Sequence, residues 1–147
     1  MRAVVTRVKS ASVSIDGQTV GAIETGFLVL LGVHKDDTEE TACKMADKIA
    51  GLRVFSDENG KMNLALPQVN GSVLVVSQFT LYADVRSRRP GFTEAARPEI
   101  AVPLYEKVIR ELRDRQFHVE TGEFGADMLV TSENDGPVTI LIDSHDW

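Results

Sequence analysis

Gly26-Phe27-Leu28-Val29-Leu30-Leu31-Gly32-Val33 is a continuous apolar run of strand length. A strand with no polar alternation has no face to offer to water, so this segment is expected to be buried on both faces. The chain before it alternates through Val4, Thr6, Val8 and then Val13 and Ile15, and ends in Asp16-Gly17. Aspartate-glycine between two β-prone runs marks a hairpin turn, with a returning strand over Thr19 to Ile23.

Beyond the apolar run, Asp37-Thr38-Glu39-Glu40 has the form of a helix start, with Asp37 as the cap and Glu40 reaching back. Ala42, Met45, Ala46 and Ile49 then recur at helical spacing. Val54 to Leu66 carries Asp57-Glu58-Asn59-Gly60 at its centre and predicts a second hairpin, and Ser72 to Gln78 predicts a valine-rich strand. The stretch from Ala83 to about Arg97 is irregular, and stretches of that length in compact domains are usually functional. Pro98 suits the first turn of a helix reaching about Arg115, with Ile100, Ala101, Leu104, Val108 and Leu112 as its apolar stripe. Pro103 inside that stripe lacks an amide hydrogen, and is expected to kink the helix or delay its start. Three strands close the chain: Phe117–Thr121, Asp127–Glu133 and Val138–Asp143. About eight strands and two helices predict an α+β fold, a strongly bent antiparallel or mixed β-sheet or barrel with two helices packed on it, in one domain spanning 1–147.

Composition narrows the function classes. Hydrophobic residues make up 43% of the 147, as in globular proteins. The longest apolar run is far short of the ~20 residues of a membrane span, so no membrane partner is expected. The start does not read as a signal peptide. The single cysteine, Cys43, is read as a small hydrophobe in the first helix, and a cytoplasmic location follows. The net charge of −6 argues against broad affinity for nucleic acid. Against that background Arg86, Arg88 and Arg89 form one basic cluster, which is either a nucleic-acid contact or a solvated loop.

There is no phosphate-binding glycine loop and no dinucleotide motif. His34, His118 and His145 are scattered without metal-ligand spacing, so neither a metal nor a cofactor is predicted. His34 is expected to make a local hydrogen bond. Two segments remain. Ser77-Gln78-Phe79-Thr80-Leu81 ends the valine strand with small polar residues, where backbone amides can face a ligand; the plain reading is a capped strand end. Asn134-Asp135-Gly136-Pro137-Val138-Thr139 consists largely of turn formers, and its plain reading is a turn between the last two strands.

Taken together, in this order and separation, these two segments resemble the SQFTL and N-x-G-P-x-T motifs of the D-aminoacyl-tRNA deacylase family. Met1-Arg2-Ala3-Val4, Arg88-Arg89-Pro90 and Gly125-Ala126-Asp127-Met128 are also similar to it, so the likeness covers the whole chain; Pro103 is the clearest departure. The resemblance implies a homodimeric hydrolase that cleaves the ester of D-aminoacyl-tRNA and rejects the L form, with glycyl-tRNA as a further candidate substrate. Amides near Phe79 and Thr80 would hold the carbonyl oxyanion, with Ser77 and Gln78 shaping the pocket for the terminal adenosine. The nucleophile is either Thr80 or water aided by the neighbouring ribose hydroxyl; the want of a base near Thr80 favours the second. Chirality would come from a Gly136-cis-Pro137 loop entering the partner subunit's site, and Arg86, Arg88 and Arg89 would contact tRNA phosphates. The alternatives are a non-catalytic nucleic-acid-binding module of the same fold and an editing domain acting in trans with a synthetase.

Overall fold

The computed structural model describes all 147 residues. Strand β1 (Arg2–Ile15) is the organising element. Along one edge its first half pairs with β3 (Gly26–Gly32) and its second half with β2 (Gln18–Ile23), all antiparallel. Along its other edge it pairs with β8 (Leu129–Asp143). Strand β6 (Ser72–Ser77) continues the sheet in parallel from β3, and β7 (Val119–Thr121) follows in parallel from β6. The mixed sheet of order β2-β1-β3-β6-β7, with β8 on β1, bends into a nearly closed barrel, as expected. A small antiparallel pair, β4 (Phe55–Ser56) with β5 (Met62–Leu64), forms the second hairpin around Asp57 to Gly60.

Burial of β3 on both faces has a physical reason. Its alternate side chains feed two separate cores. Phe27, Val29 and Leu31 face a layer with Ala42, Met45 and Ile49 of helix α1 (Glu39–Gly51) and Leu104, Val108 and Leu112 of helix α2 (Pro98–Asp114). Leu28 points the other way, into a cluster with Val8, Val13, Leu74 and Val76 inside the barrel. A strand sandwiched between two apolar layers has no place for a polar alternate.

Four local expectations are corrected. Thr38, not Asp37, caps α1, and the residue that reaches back is Thr41, not Glu40. The Asp37 carboxylate is committed elsewhere: it accepts from the Met1 amino group at 2.8 Å and from the His34 amide at 2.7 Å. Helix α2 begins at Pro98, so Pro103 does not delay its start, and the helix continues past it to Asp114. The amide that Pro103 lacks would have met the carbonyl of Glu99, which lies on the exposed side and is left to water. Ile100 is 43% exposed and falls outside the stripe, which is completed by Tyr105 and Ile109. The last two strands are one strand, β8, so Asn134–Pro137 is not a turn between strands but an interruption within one.

Candidate functional site

Strands β3 and β6 run in parallel and end at the same rim, with Leu31 beside Ser77. The Gln78 amide donates to the Leu31 carbonyl at 2.8 Å, and the chain then turns sharply into a single 3-10 turn over Phe79–Tyr82. This turn lies directly on Gly32: a Cβ there would come within 2.9 Å of the Gln78 carbonyl oxygen and 3.0 Å of Leu81 Cβ. The glycine therefore permits the close approach that folds the motif back over the strand end.

The first amides of a helical turn have no partner within it. Here neither Phe79 nor Thr80 donates its amide to any acceptor in the chain. Phe79, the first residue of the turn, lines a cavity of about 280 Å³ together with Val76, Ser77, Gln78, Tyr105 and Phe124 among others, and Thr80 follows it in the chain. Gly125, Ala126, Asp127 and Met128 complete its wall, a contribution only the tertiary structure reveals. The Tyr105 hydroxyl donates to the Val75 carbonyl at 3.2 Å; burial pushes its pKa up to about 12, so it stays neutral. The Thr80 hydroxyl accepts from the Gln78 side-chain Nε2 at 2.5 Å and hydrogen-bonds to no histidine or carboxylate. Phe79 is 55% exposed and meets Phe92 edge-on, at 5.0 Å between ring centres.

The second motif is built by β1 and β8 together. Thr6 pairs with Thr139 and Val8 with Asn134, so Asp135 to Val138 stand opposite Arg7 alone and bulge out of the ladder. The Gly136-Pro137 bond is cis, Gly136 has φ +123°, and both residues are exposed. Arg7, which sequence reasoning passed over, holds the base of this loop. Its guanidinium is largely buried; Nε donates to the Asp135 carbonyl at 3.2 Å and Nη1 to the Val54 carbonyl at 2.6 Å. Nothing in the sequence marks it, because an arginine between Thr6 and Val8 reads as an outward-facing strand residue. No residue of 134–139 lines the cavity, so within one chain the two motifs remain apart.

Of the basic cluster, Arg86 is bound to Asp84, which that contact holds at a pKa of about 2, whereas Arg88 and Arg89 are exposed and have no acidic partner. Asp84 and Gly91 exchange backbone hydrogen bonds and pinch the arginine loop at its neck. His34 makes the expected local bond, its Nδ1 accepting from the Asp36 amide, and its Nε2 also meets Glu94 at 3.0 Å, tying down the far end of the loop. No three histidine, cysteine or acidic side chains converge as metal ligands would.

These features match a known group of proteins. The family model described as D-Tyr-tRNA(Tyr) deacylase matches residues 4–143. The chain is 57% identical to the D-aminoacyl-tRNA deacylase of Thermosipho africanus over 145 residues, 98% of this chain and 97% of that protein. It is 58% identical to that of Thermus aquaticus over 147 residues, 99% and 97% of the two chains. Among solved structures it is similar to one described as c-Myc DNA Unwinding Element Binding Protein, at 40% identity and a TM-score of 0.92 over 98% of this chain and 99% of that one. It also shares the fold of a probable eukaryotic D-amino acid tRNA deacylase, at 16% identity and a TM-score of 0.81 over 96% and 97%. With its motifs at a strand-end cavity and in a β-bulge, and with relatives this similar along nearly the full length, the chain belongs to the D-Tyr-tRNA(Tyr) deacylase family.

Proposed function

We propose that this protein hydrolyses the ester between a D-amino acid and the terminal ribose of tRNA, releasing both. The observation that carries the reading is the pair of unpartnered amides of Phe79 and Thr80, in a turn whose first residue, Phe79, lines a largely apolar cavity. Ester hydrolysis develops negative charge on the carbonyl oxygen, and two preorganised N–H donors stabilise it; losing one such donor typically costs about 100- to 1000-fold in rate. The cavity, lined by Tyr105 and Phe124 with Ser77 and Gln78 at its rim, suits a terminal adenosine. Thr80 is bonded to an amide and not to a base, which supports water activated by the ribose hydroxyl over attack by the threonine.

Chiral selection is assigned to the exposed Gly136-Pro137 loop of a second subunit. Support comes from the cavity's want of any 134–139 residue in its own chain, and from the exposed apolar Leu129 and Leu141 on the strand that carries the loop. A two-fold dimer would bring each loop to its partner's cavity. Backbone carbonyls there would hold the substrate amino group, and an L side chain would collide with the loop while a D side chain points away. Glycine, with no side chain to exclude, remains a candidate substrate. Arg88 and Arg89, with Arg86 beside them, are assigned to tRNA phosphates, and the protein to the cytoplasm where tRNA is charged. One assay tests the reading: the purified protein should release tyrosine from D-tyrosyl-tRNA and leave L-tyrosyl-tRNA intact. Binding of nucleic acid without release from either would favour a non-catalytic module, a reading that the name of the 40%-identical structure keeps in view.

A further inference from the structure

The 3-10 turn that carries Phe79 and Thr80 is one turn long. At its two ends Leu81 N–H donates to the Gln78 carbonyl at 3.3 Å and Ala83 N–H to the Thr80 carbonyl at 3.1 Å. One side chain from outside the turn hydrogen-bonds to it: Arg2, whose Nη1 donates to the Leu81 carbonyl at 2.8 Å. The same guanidinium lies 4.6 Å over the ring of Tyr82, the buried last residue of the turn, and its Nε donates to Asp143 at 2.7 Å. Register explains why this position can do so. On β1, Arg2 is paired with Gly32 on one side and with Asp143 on the other. Gly32 is the residue on which the turn rests, so the Arg2 side chain emerges beside the turn and reaches over it. Asp143 holds the guanidinium from behind and is itself fixed by the His145 amide at 3.0 Å.

The geometry points to Arg2 as a positioning residue that sets the Phe79 and Thr80 amides for the reaction by clamping the Leu81 carbonyl and the Tyr82 ring. This rests on the deacylase reading above. The clamp uses a planar, charged fork with two donors in different directions and an aromatic face beneath. A lysine can replace the charge but not the fork and its stacking. Because the donors must meet an oxyanion, a displacement of well under a bond length at the turn lowers turnover more than it lowers binding.

The test compares wild type with Arg2→Met and Arg2→Lys, in two measurements on the folded protein. With D-tyrosyl-tRNA, Arg2→Met should lose about ten-fold in kcat while KM stays within about two-fold, with Arg2→Lys between it and wild type. In native-state hydrogen exchange, the Leu81 and Ala83 amides of Arg2→Met should exchange about ten-fold faster, with the β3 amides unchanged. An arginine that merely ties β1 to β8 would lower Tm and leave kcat and both amides native, and that result overturns the proposal. If Arg2→Met does not fold, Arg2→Lys with native kcat and native exchange overturns it equally. A wild-type protein that releases nothing from D-tyrosyl-tRNA would sink the deacylase reading instead; the exchange measurement would still decide the clamp, and unchanged Leu81 and Ala83 amides would reject it.

Discussion

Arg7 on β1 donates through Nε to the carbonyl of Asp135 on β8, at 3.2 Å, across the bulge that lifts Gly136 and Pro137 out of the ladder. Its Nη1 reaches the Val54 carbonyl at 2.6 Å, so one buried guanidinium joins the loop to the segment that follows α1. Replacing it by methionine keeps the apolar stem and strands both carbonyls. Each buried acceptor left without a donor costs about 1–3 kcal/mol. Arg7→Met should therefore lower Tm by several degrees and relax discrimination between D- and L-tyrosyl-tRNA, read as the ratio of the two release rates. A variant with native discrimination would show that the loop is held without Arg7.

Gly136 has φ +123°, a conformation that L side chains rarely adopt, and a Cβ there would lie 2.9 Å from Val138 Cγ2 and 3.0 Å from Arg7 Nη2. The backbone nitrogen of Val138 would also lie at 3.0 Å and cannot give way as a side-chain end can, so close contact adds to the backbone requirement. Strain of this kind costs about 1–3 kcal/mol. Gly136→Ala is expected to fold, because the residue is exposed, and to lose most capture of D-tyrosyl-tRNA. Steady-state kinetics with a thermal melt alongside checks this; native kinetics would remove Gly136 from the site.

Thr80→Ala separates the two nucleophile routes. Its hydroxyl accepts from the Gln78 side-chain Nε2 and is bonded to no base. The expected outcome is a folded variant that keeps substantial turnover of D-tyrosyl-tRNA. Complete loss of turnover with substrate binding retained would assign the attack to the threonine. The complementary substrate, a tRNA ending in 2′-deoxyadenosine and charged at the 3′ position, should be cleaved poorly by the wild type.

Arg88 and Arg89 have no acidic partner, whereas Arg86 already shares its charge with Asp84. Replacing both Arg88 and Arg89 by glutamine should weaken tRNA binding and reduce the slope of log K against log salt by roughly one unit or less per lost contact. The corresponding change at Arg86 should do less. Binding titrations at several salt concentrations check this, and an unchanged slope in the double variant would leave the loop facing solvent.

What sequence alone determined about this protein is whatever rests on local pattern. The apolar run at 26–33 required burial on both faces; the Asp16-Gly17 and Asp57–Gly60 hairpins and the two helical stripes followed from spacing. Both motifs were legible as residues, although neither told its own geometry. What tertiary structure decided are matters of competition between distant partners. Asp37 has the chemistry of a helix cap but is taken by the Met1 amino group and the His34 amide, which leaves the cap to Thr38. Asn134–Pro137 has the composition of a turn, yet β1 pairs with the chain on both sides of it and Arg7 satisfies the Asp135 carbonyl, so the strand continues and the segment becomes a bulge. The 125–128 wall of the cavity lies about fifty residues in sequence from the turn it faces, and only the parallel placement of β7 beside β6 brings the two together. Such outcomes depend on which donor reaches which acceptor across the fold, and no window of neighbouring residues contains that information.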